Sequence, residues 1–486
     1  MEASAPPAKP RRALHLDDPG PRPASPGPKA VAADLRYEWG ARRRGFRPVR
    51  GHTGFSVRRT WGFRHDPLRM MLESYERFGP IFGIRVLHGY SVTMLGPEAN
   101  HYILVSDREK FLWRNGHMGD LITLLGDGLL TTDGGYHDTS RAIMMPAFHK
   151  ERVAASVEVM AEEAETAVEQ LRPNQTLDVY HWTRDLAMRI AMRALFGFDP
   201  DSGQSDEIAA RFESGLGFHG REFPMQVLVG PGSPYRKLLR DRAALERLVG
   251  GEIRRRRDKG DDGSDGEDML GALLGATDED GRRLSDMQIL DHVLTLLFAG
   301  HDTTTSTVSF LIYELARNPA WLEKLAVEQQ EVVGGARPTA EQLFADMPLL
   351  GQAIDETLRL YPPAWIGARR ASADFEFRGA RVAAGTSVSY SSWASHRLPD
   401  VWADPHAFRP ERFAPEARAK FPRGAYVPFG AGPRICIGKR FGYTEVHAIA
   451  AALLSRFSFE LPADHELEIQ WAPTLSPKGG LQVSLQ

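Results

Sequence analysis

PFGAGPRICIG, residues 428–438, holds the only cysteine in a chain of 486 residues. Three glycines and two prolines surround Cys436. The sulfur therefore sits where the backbone turns sharply and approaches something closely, not in an apolar run where cysteine serves as core filler. The stretch after it, IGKRFGYTEVHAIAAALL, has helical periodicity. A cysteine just ahead of a helix faces free N–H groups and the positive end of the dipole, which favour a thiolate. A single cysteine makes no internal disulfide, which fits a reducing, cytoplasmic setting.

Upstream, MQILDHVLTLLFAGHDTTTSTVSFLIYELARNP (Met287–Pro319) reads as a long helix, apolar on nearly every face. Such a helix crosses the interior of a large protein. Its middle carries Ala299, Gly300, His301, Asp302, Thr303 and Thr304. Glycine and β-branched threonines are poor helix formers, and a buried carboxylate needs partners. Thr303 is placed to bond the Ala299 carbonyl and open a groove beside Gly300. On these residues alone, AGHDTT is equally a kink with a satisfied polar pair or a proton donor beside a small-residue gap.

Between these segments, DETLRL puts Glu356 and Arg359 on one helical face. DPHAFRPERF then offers Arg412 as a second arginine for a shared buried network. Elsewhere, Asp66–Gly79 reads as a helix, and IFGIRVL and YSVTML as a hairpin turned by His88 and Gly89. Residues 112–135 read as a long loop, and helical periodicity dominates 151–329, interrupted at 215–225 and 258–268. The arginine run 254–257 is read as surface compensating a helix end. Short strands follow Pro362. The fold class expected is mainly α with smaller β-sheets.

Apolar residues make up 42% of the chain, enough for a large core with a cavity. A net charge of -3 gives no support to a nucleic-acid partner. No apolar run is long enough to span a bilayer, so no membrane anchor is expected. Residues 1–45, rich in proline and alanine, read as a disordered leader, with 46–486 as a single domain.

Taken together, the motifs resemble the cytochrome P450 family of haem-thiolate monooxygenases. Phe429, Gly432, Arg434, Cys436 and Gly438 match its haem-binding loop, AGHDTT its oxygen-activating helix, and Glu356, Arg359 and Arg412 its structural triad. The resemblance implies the P450 fold, with haem b held between the central helix and the cysteine-loop helix and Cys436 as its axial ligand. Ala299 and Gly300 would lie against the haem. Phe429 would cover the sulfur, with Gly430 and Gly438 letting backbone approach. His137, Arg141, Arg434 and Arg369 would meet the propionates, with Arg370 as the alternative to Arg369. Asp302 and Thr303 would form an acid–alcohol pair that delivers protons during dioxygen activation, with His301 a helix-face residue.

The resemblance also implies a monomer that inserts one atom of dioxygen into a lipophilic small molecule. Electrons would come from a ferredoxin-type donor and an NAD(P)H-dependent reductase, docking on Lys420, Arg423, Lys439 and Arg440. Trp113, Met118, Leu121, Phe218, Phe223, Phe298, Trp365, Ile366 and Leu475 are the pocket candidates, some of which also suit a plain core. A haem-thiolate peroxygenase or a non-catalytic haem sensor or carrier fits the loop as well, but leaves Asp302 and Thr303 without a task. A cysteine nucleophile leaves the triad and AGHDTT unexplained.

Overall fold

In the computed structural model the apolar segment forms one helix, Asp286–Arg317, running through the middle of the molecule. Ser285 caps it, its hydroxyl accepting from the Gln288 amide while the Gln288 side chain returns to the Ser285 backbone. From Ile289 to Leu315 every residue is buried except Ala299, Gly300 and Thr303. Helices Val179–Ile190, Pro234–Asp258, Pro348–Leu360 and Lys439–Leu454 pack around it. The structure describes Pro19 and residues 28–486, apart from 88, 117–120, 222, 227, 261–267, 278–280 and 282; of residues 28–30, 223 and 224 it describes the backbone.

The β portion stands to one side. A six-stranded sheet runs, edge to edge, through Gly51–His52, Ile81–Val86, Gly89–Met94, Ser387–Ser391, Ile366–Ala371 and Phe111–Leu112. A smaller sheet joins Thr176–Asp178, Gln482–Leu485 and Phe459–Glu460. The mostly helical class with smaller sheets is therefore the observed one.

Several local expectations change. Gly89 pairs with Val86 and so belongs to the second strand instead of the bend; His88 lies outside the described residues. The 112–135 segment contains a helical turn at Ile122–Leu125 and is pressed onto the central helix: a Cβ on Gly128 would strike Thr295. The disordered leader expected over residues 1–45 is corrected over its described part. Residues Pro28–Arg43 form a helix, held by ion pairs from Glu38 to Arg85 (2.7 Å) and from Asp34 to Arg370 (3.0 Å). Composition concealed it, because those partners lie far along the chain. In the arginine run, Arg256 is buried and committed to Glu252, Asp268 and the Phe196 carbonyl.

Two buried polar links join the elements. Arg359 donates to both Glu356 oxygens at 2.6 and 2.8 Å, and to the carbonyls of His396, Pro405 and Ala407. Arg412 reaches Glu356 at 3.3 Å, and the Arg409 amide donates to it at 2.8 Å. The pair thus pins the segment that leads into the cysteine loop. The second link is a 2.6 Å hydrogen bond from Thr304 of the central helix to Glu445 of the helix after Cys436. Burial pushes the Glu445 carboxyl up to about 8, so it is protonated at neutral pH.

Replacing Glu356 by alanine leaves Arg359 buried without its carboxylate, a loss of about 3–5 kcal/mol that urea unfolding will measure. Glu445 makes a different prediction. Its folded carboxyl titrates near 8 and its ordinary value is 4.5. The stability tied to its proton is complete below 4.5 and drains away as pH rises through 8. Glu445→Gln keeps a neutral partner for Thr304, so its melting temperature relative to the parent chain should rise between pH 5 and pH 8.

Candidate active site

The cysteine loop closes on itself. The Cys436 amide donates to the Phe429 carbonyl at 2.9 Å. Gly432 adopts φ 65°, and a Cβ there would lie 2.6 Å from the Leu104 carbonyl oxygen, so only glycine fits. Helix Lys439–Leu454 begins directly after Gly438. Cys436 lies deep among protein groups and still presents accessible surface. Burial pushes its thiol up, while the Gly438 amide and the charges of Arg141 and Lys439 pull the other way. The Phe429 ring sits 5.4 Å from Tyr443, with the Lys439 ammonium 5.6 Å from its centre.

Cations gather beside this loop. Strand Ile366–Ala371 alternates between half-buried and buried positions, which decides between its two arginines. Arg369 points inward and is fully buried; its Nη1 donates to the Ala368 carbonyl and its Nη2 has no partner. Arg370 points the other way, to Asp34 and the carbonyls of Asn115 and Gly385. Arg434 donates to Asp133 and the Thr132 carbonyl, both at 2.7 Å. Burial lowers Arg434 to about 10, with Arg369 adding repulsion against the pull of Asp133. His137 and Arg141 project from helix Gly134–Met144. Burial and the neighbouring Arg434 push His137 down to about 4, so it acts as a neutral hydrogen-bonding group and not as a cation.

Trp113 belongs to this cationic end. Its ring lies 3.3 Å from the Arg369 guanidinium carbon and 5.5 Å from that of Arg434. The expected pocket tryptophan is thus stacked on an arginine. Such guanidiniums, held away from water with one nitrogen unsatisfied, call for an anion.

The central helix carries one accessible strip, Ala299, Gly300 and Thr303. The Thr303 hydroxyl donates to the Ala299 carbonyl at 2.7 Å, and nothing lies within 4 Å of where a Gly300 Cβ would be. Asp302 takes a different direction, since consecutive helical residues are about 100° apart. Its oxygens accept from Arg184 at 3.1 Å and from the Thr474 hydroxyl at 3.0 Å. Burial raises its carboxyl, and Arg184 and Thr474 oppose that. The structure does not pair the Asp302 and Thr303 side chains with each other. His301 is wholly buried, 3.8 Å from both Asp302 and Glu213, and burial pushes it down to about 3.

Of the pocket candidates, Leu121, Phe218, Phe298, Trp365 and Leu475 are buried in the main apolar core, and Ile366 is half-buried against it. Trp365 is further fixed by a hydrogen bond to the Trp471 carbonyl, 2.5 Å. Met118 lies outside the described residues, as does the Phe223 side chain. Sequence reasoning missed Asp133, Arg184, Thr474 and Glu445. Each meets its partner across 100 or more residues, and none stands in a recognisable pattern.

The residues fit haem. The cradle has accessible sulfur on one side, open space over Gly300 on the other, and an unsatisfied buried guanidinium at its edge. The family profile described as Cytochrome P450 matches residues 50–484. The cyclooctat-9-en-7-ol 5-monooxygenase of Streptomyces melanosporofaciens is 33% identical, covering 84% of this chain and 87% of that protein. The cyclooctatin synthase of the same organism is 35% identical over 69% of this chain and 73% of its own length. The solved structure of a retinoic acid bound cyanobacterial CYP120A1 superposes with TM-score 0.80 at 30% identity, covering 91% of this chain and 99% of that one. The chain belongs to the cytochrome P450 family, the haem-thiolate monooxygenases that bind haem b through a cysteine.

Proposed function

We propose that this monooxygenase acts on a carbon-rich, lipophilic small molecule carrying few polar groups. The observation that carries this reading is the accessible strip of Ala299, Gly300 and Thr303 on an otherwise buried helix, set within an apolar core. Relatives point the same way: one is named for an alkene alcohol, and one solved structure holds retinoic acid. When bound, the haem brings dioxygen, two electrons and two protons together to insert one oxygen atom into a carbon–hydrogen bond and release the other as water.

The chain's own residues supply the rest. Cys436 ligates as a thiolate, with the Gly438 amide and the Arg141 and Lys439 charges offsetting part of the cost of burial. Arg369, Arg434, Arg141 and neutral His137 hold the two propionates. Ala299 and Gly300 leave room for the ring, and Phe429 keeps water from the sulfur. Thr303 gives a proton within the groove from a hydroxyl held by the Ala299 carbonyl. Asp302 resupplies it with protons that enter past the half-exposed Glu213; Arg184, which bonds Glu213 at 3.1 Å and Asp302 at 3.1 Å, positions both carboxyls and keeps its own proton. Exchanging partners from Arg184 to the groove is the motion this requires. Electrons arrive from a ferredoxin-type protein at the exposed Lys420, Arg423, Lys439 and Arg440. The protein works as a cytoplasmic monomer.

Thr303→Ala tests the proton role: product per NAD(P)H should fall roughly tenfold or more, within the range lost with a positioned proton donor, with peroxide rising to match. Unchanged coupling would remove Thr303 from the pathway. Turnover with peroxide alone, and none with ferredoxin and reductase, would favour the peroxygenase. Arg369→Leu should lower haem retention during dialysis while Arg370→Leu should not, read from the Soret absorbance per chain.

A further inference from the structure

A second face carries chemistry that oxygen insertion does not use. Residues 36–64 contain nine arginines and a single carboxylate, Glu38, in a chain whose net charge is -3. Within this stretch, helix Val57–His65 has no buried residue at all. Its exposed positions are Val57, Arg58, Trp61 and His65, one stripe at helical spacing. Phe55, just before the helix, Val57 and Trp61 are 69, 66 and 64% exposed. An isolated exposed apolar side chain needs no explanation, but a grouped set on one stripe marks a contact surface.

The surroundings extend this surface. Thr60 of the same helix accepts from the Leu87 amide at the hairpin turn, where the Leu87 side chain is also exposed. At the helix end, the Arg64 carbonyl accepts from Trp471 Nε1 at 2.9 Å. The adjacent Ala472 carbonyl approaches Gly220, which begins the connection carrying the exposed Leu228 and Val229. The helix therefore ends beside the Trp471–Leu475 segment. Arg50 and Arg58 are exposed and have no carboxylate partner among the described residues. Arg59 is spent on the His52 and Gly54 carbonyls, which fixes the turn that presents Phe55.

We propose that this face docks on an anionic lipid bilayer. Trp61, Phe55 and Val57 enter the headgroup boundary, where amphipathic aromatic rings are favoured. Arg50 and Arg58 pair with lipid phosphates, which planar guanidiniums bind in two-pronged fashion. Apolar insertion and basic attraction reinforce each other, and stable peripheral binding needs both. Charge argues against a second copy as the occupant, because a two-fold contact would set one arginine-rich surface against another. Among the described residues no helix is long and apolar enough to cross a membrane, so the contact is peripheral. Docking would set the Trp471–Leu475 segment against a reservoir of lipophilic compounds; that consequence rests on the substrate reading above, whereas lipid binding does not.

The test is flotation of the haem-loaded full chain with vesicles of phosphatidylcholine, alone or mixed equally with phosphatidylglycerol. The protein should float with the mixed vesicles, stay behind with phosphatidylcholine alone, and be released by high salt. The double variant F55S/W61S should bind roughly tenfold less, as expected for losing two interfacial apolar side chains. The pair R50E/R58E should lose binding likewise, and both should keep the parent's carbon-monoxide difference spectrum as a folding check. Should a variant fail to fold, the lipid and salt dependence of the parent chain decides alone. Absence of flotation with the mixed vesicles, or equal flotation of folded variants, overturns the proposal. A dimer in sedimentation that W61S dissolves, or an acidic protein that displaces the vesicles without lipid binding of its own, assigns the face to another occupant and overturns it too.

Discussion

A guanidinium withdrawn from water must be answered by an anion, and the region around Cys436 is organised by that demand. Arg369 is wholly buried with one nitrogen unsatisfied, Arg434 sits beside it, and Trp113 fills the space over both. Asp133 answers Arg434 at 2.7 Å, while Arg369 has no hydrogen-bonded carboxylate among the described residues. A buried charge left uncompensated costs several kcal/mol, and the propionates of haem are the anions we propose for it. Burial raises the thiol's proton affinity, and the Gly438 amide with two nearby cations offsets part of that cost.

The central helix solves a related problem in a different way. It buries Asp302 by giving it Arg184 and Thr474, and it buries Thr304 by giving it a protonated Glu445. Only Ala299, Gly300 and Thr303 are left facing the open interior. Polar groups that would destabilise a core are thereby turned outward onto neighbouring helices, while the smallest residues form the working face. Glu356 and Arg359 perform the same task for the loop that precedes the cysteine, anchoring carbonyls from three separate positions.

What was legible in the sequence had local periodicity or fixed spacing. The cysteine loop, the all-apolar helix with its polar centre, and Glu356 three residues before Arg359 each carry their reason within a few residues. The choice between Arg369 and Arg370 was not legible, because only the strand's register says which side faces in. The stacking of Trp113 on Arg369 was not legible for a related cause: the arginine lies far along the chain. Asp133, Arg184 and Thr474 gave no signal, since an ordinary charged or hydroxyl residue becomes informative only once a distant partner arrives. The N-terminal helix was hidden by a composition rich in alanine, proline and arginine, whose packing depends on Arg85 and Arg370 far downstream.

That helix lies outside the stretch the family shares. The family profile begins at residue 50, yet helix Pro28–Arg43 is tied to the body of the fold. Arg370, which Asp34 neutralises, is the immediate neighbour of Arg369 on the same strand. Cutting the chain at the family boundary would strip the counter-ions from Arg370 and Arg85 and loosen the strand that carries the buried Arg369. For this protein the segment outside the common core is a brace, and a shortened version would be a different folding unit.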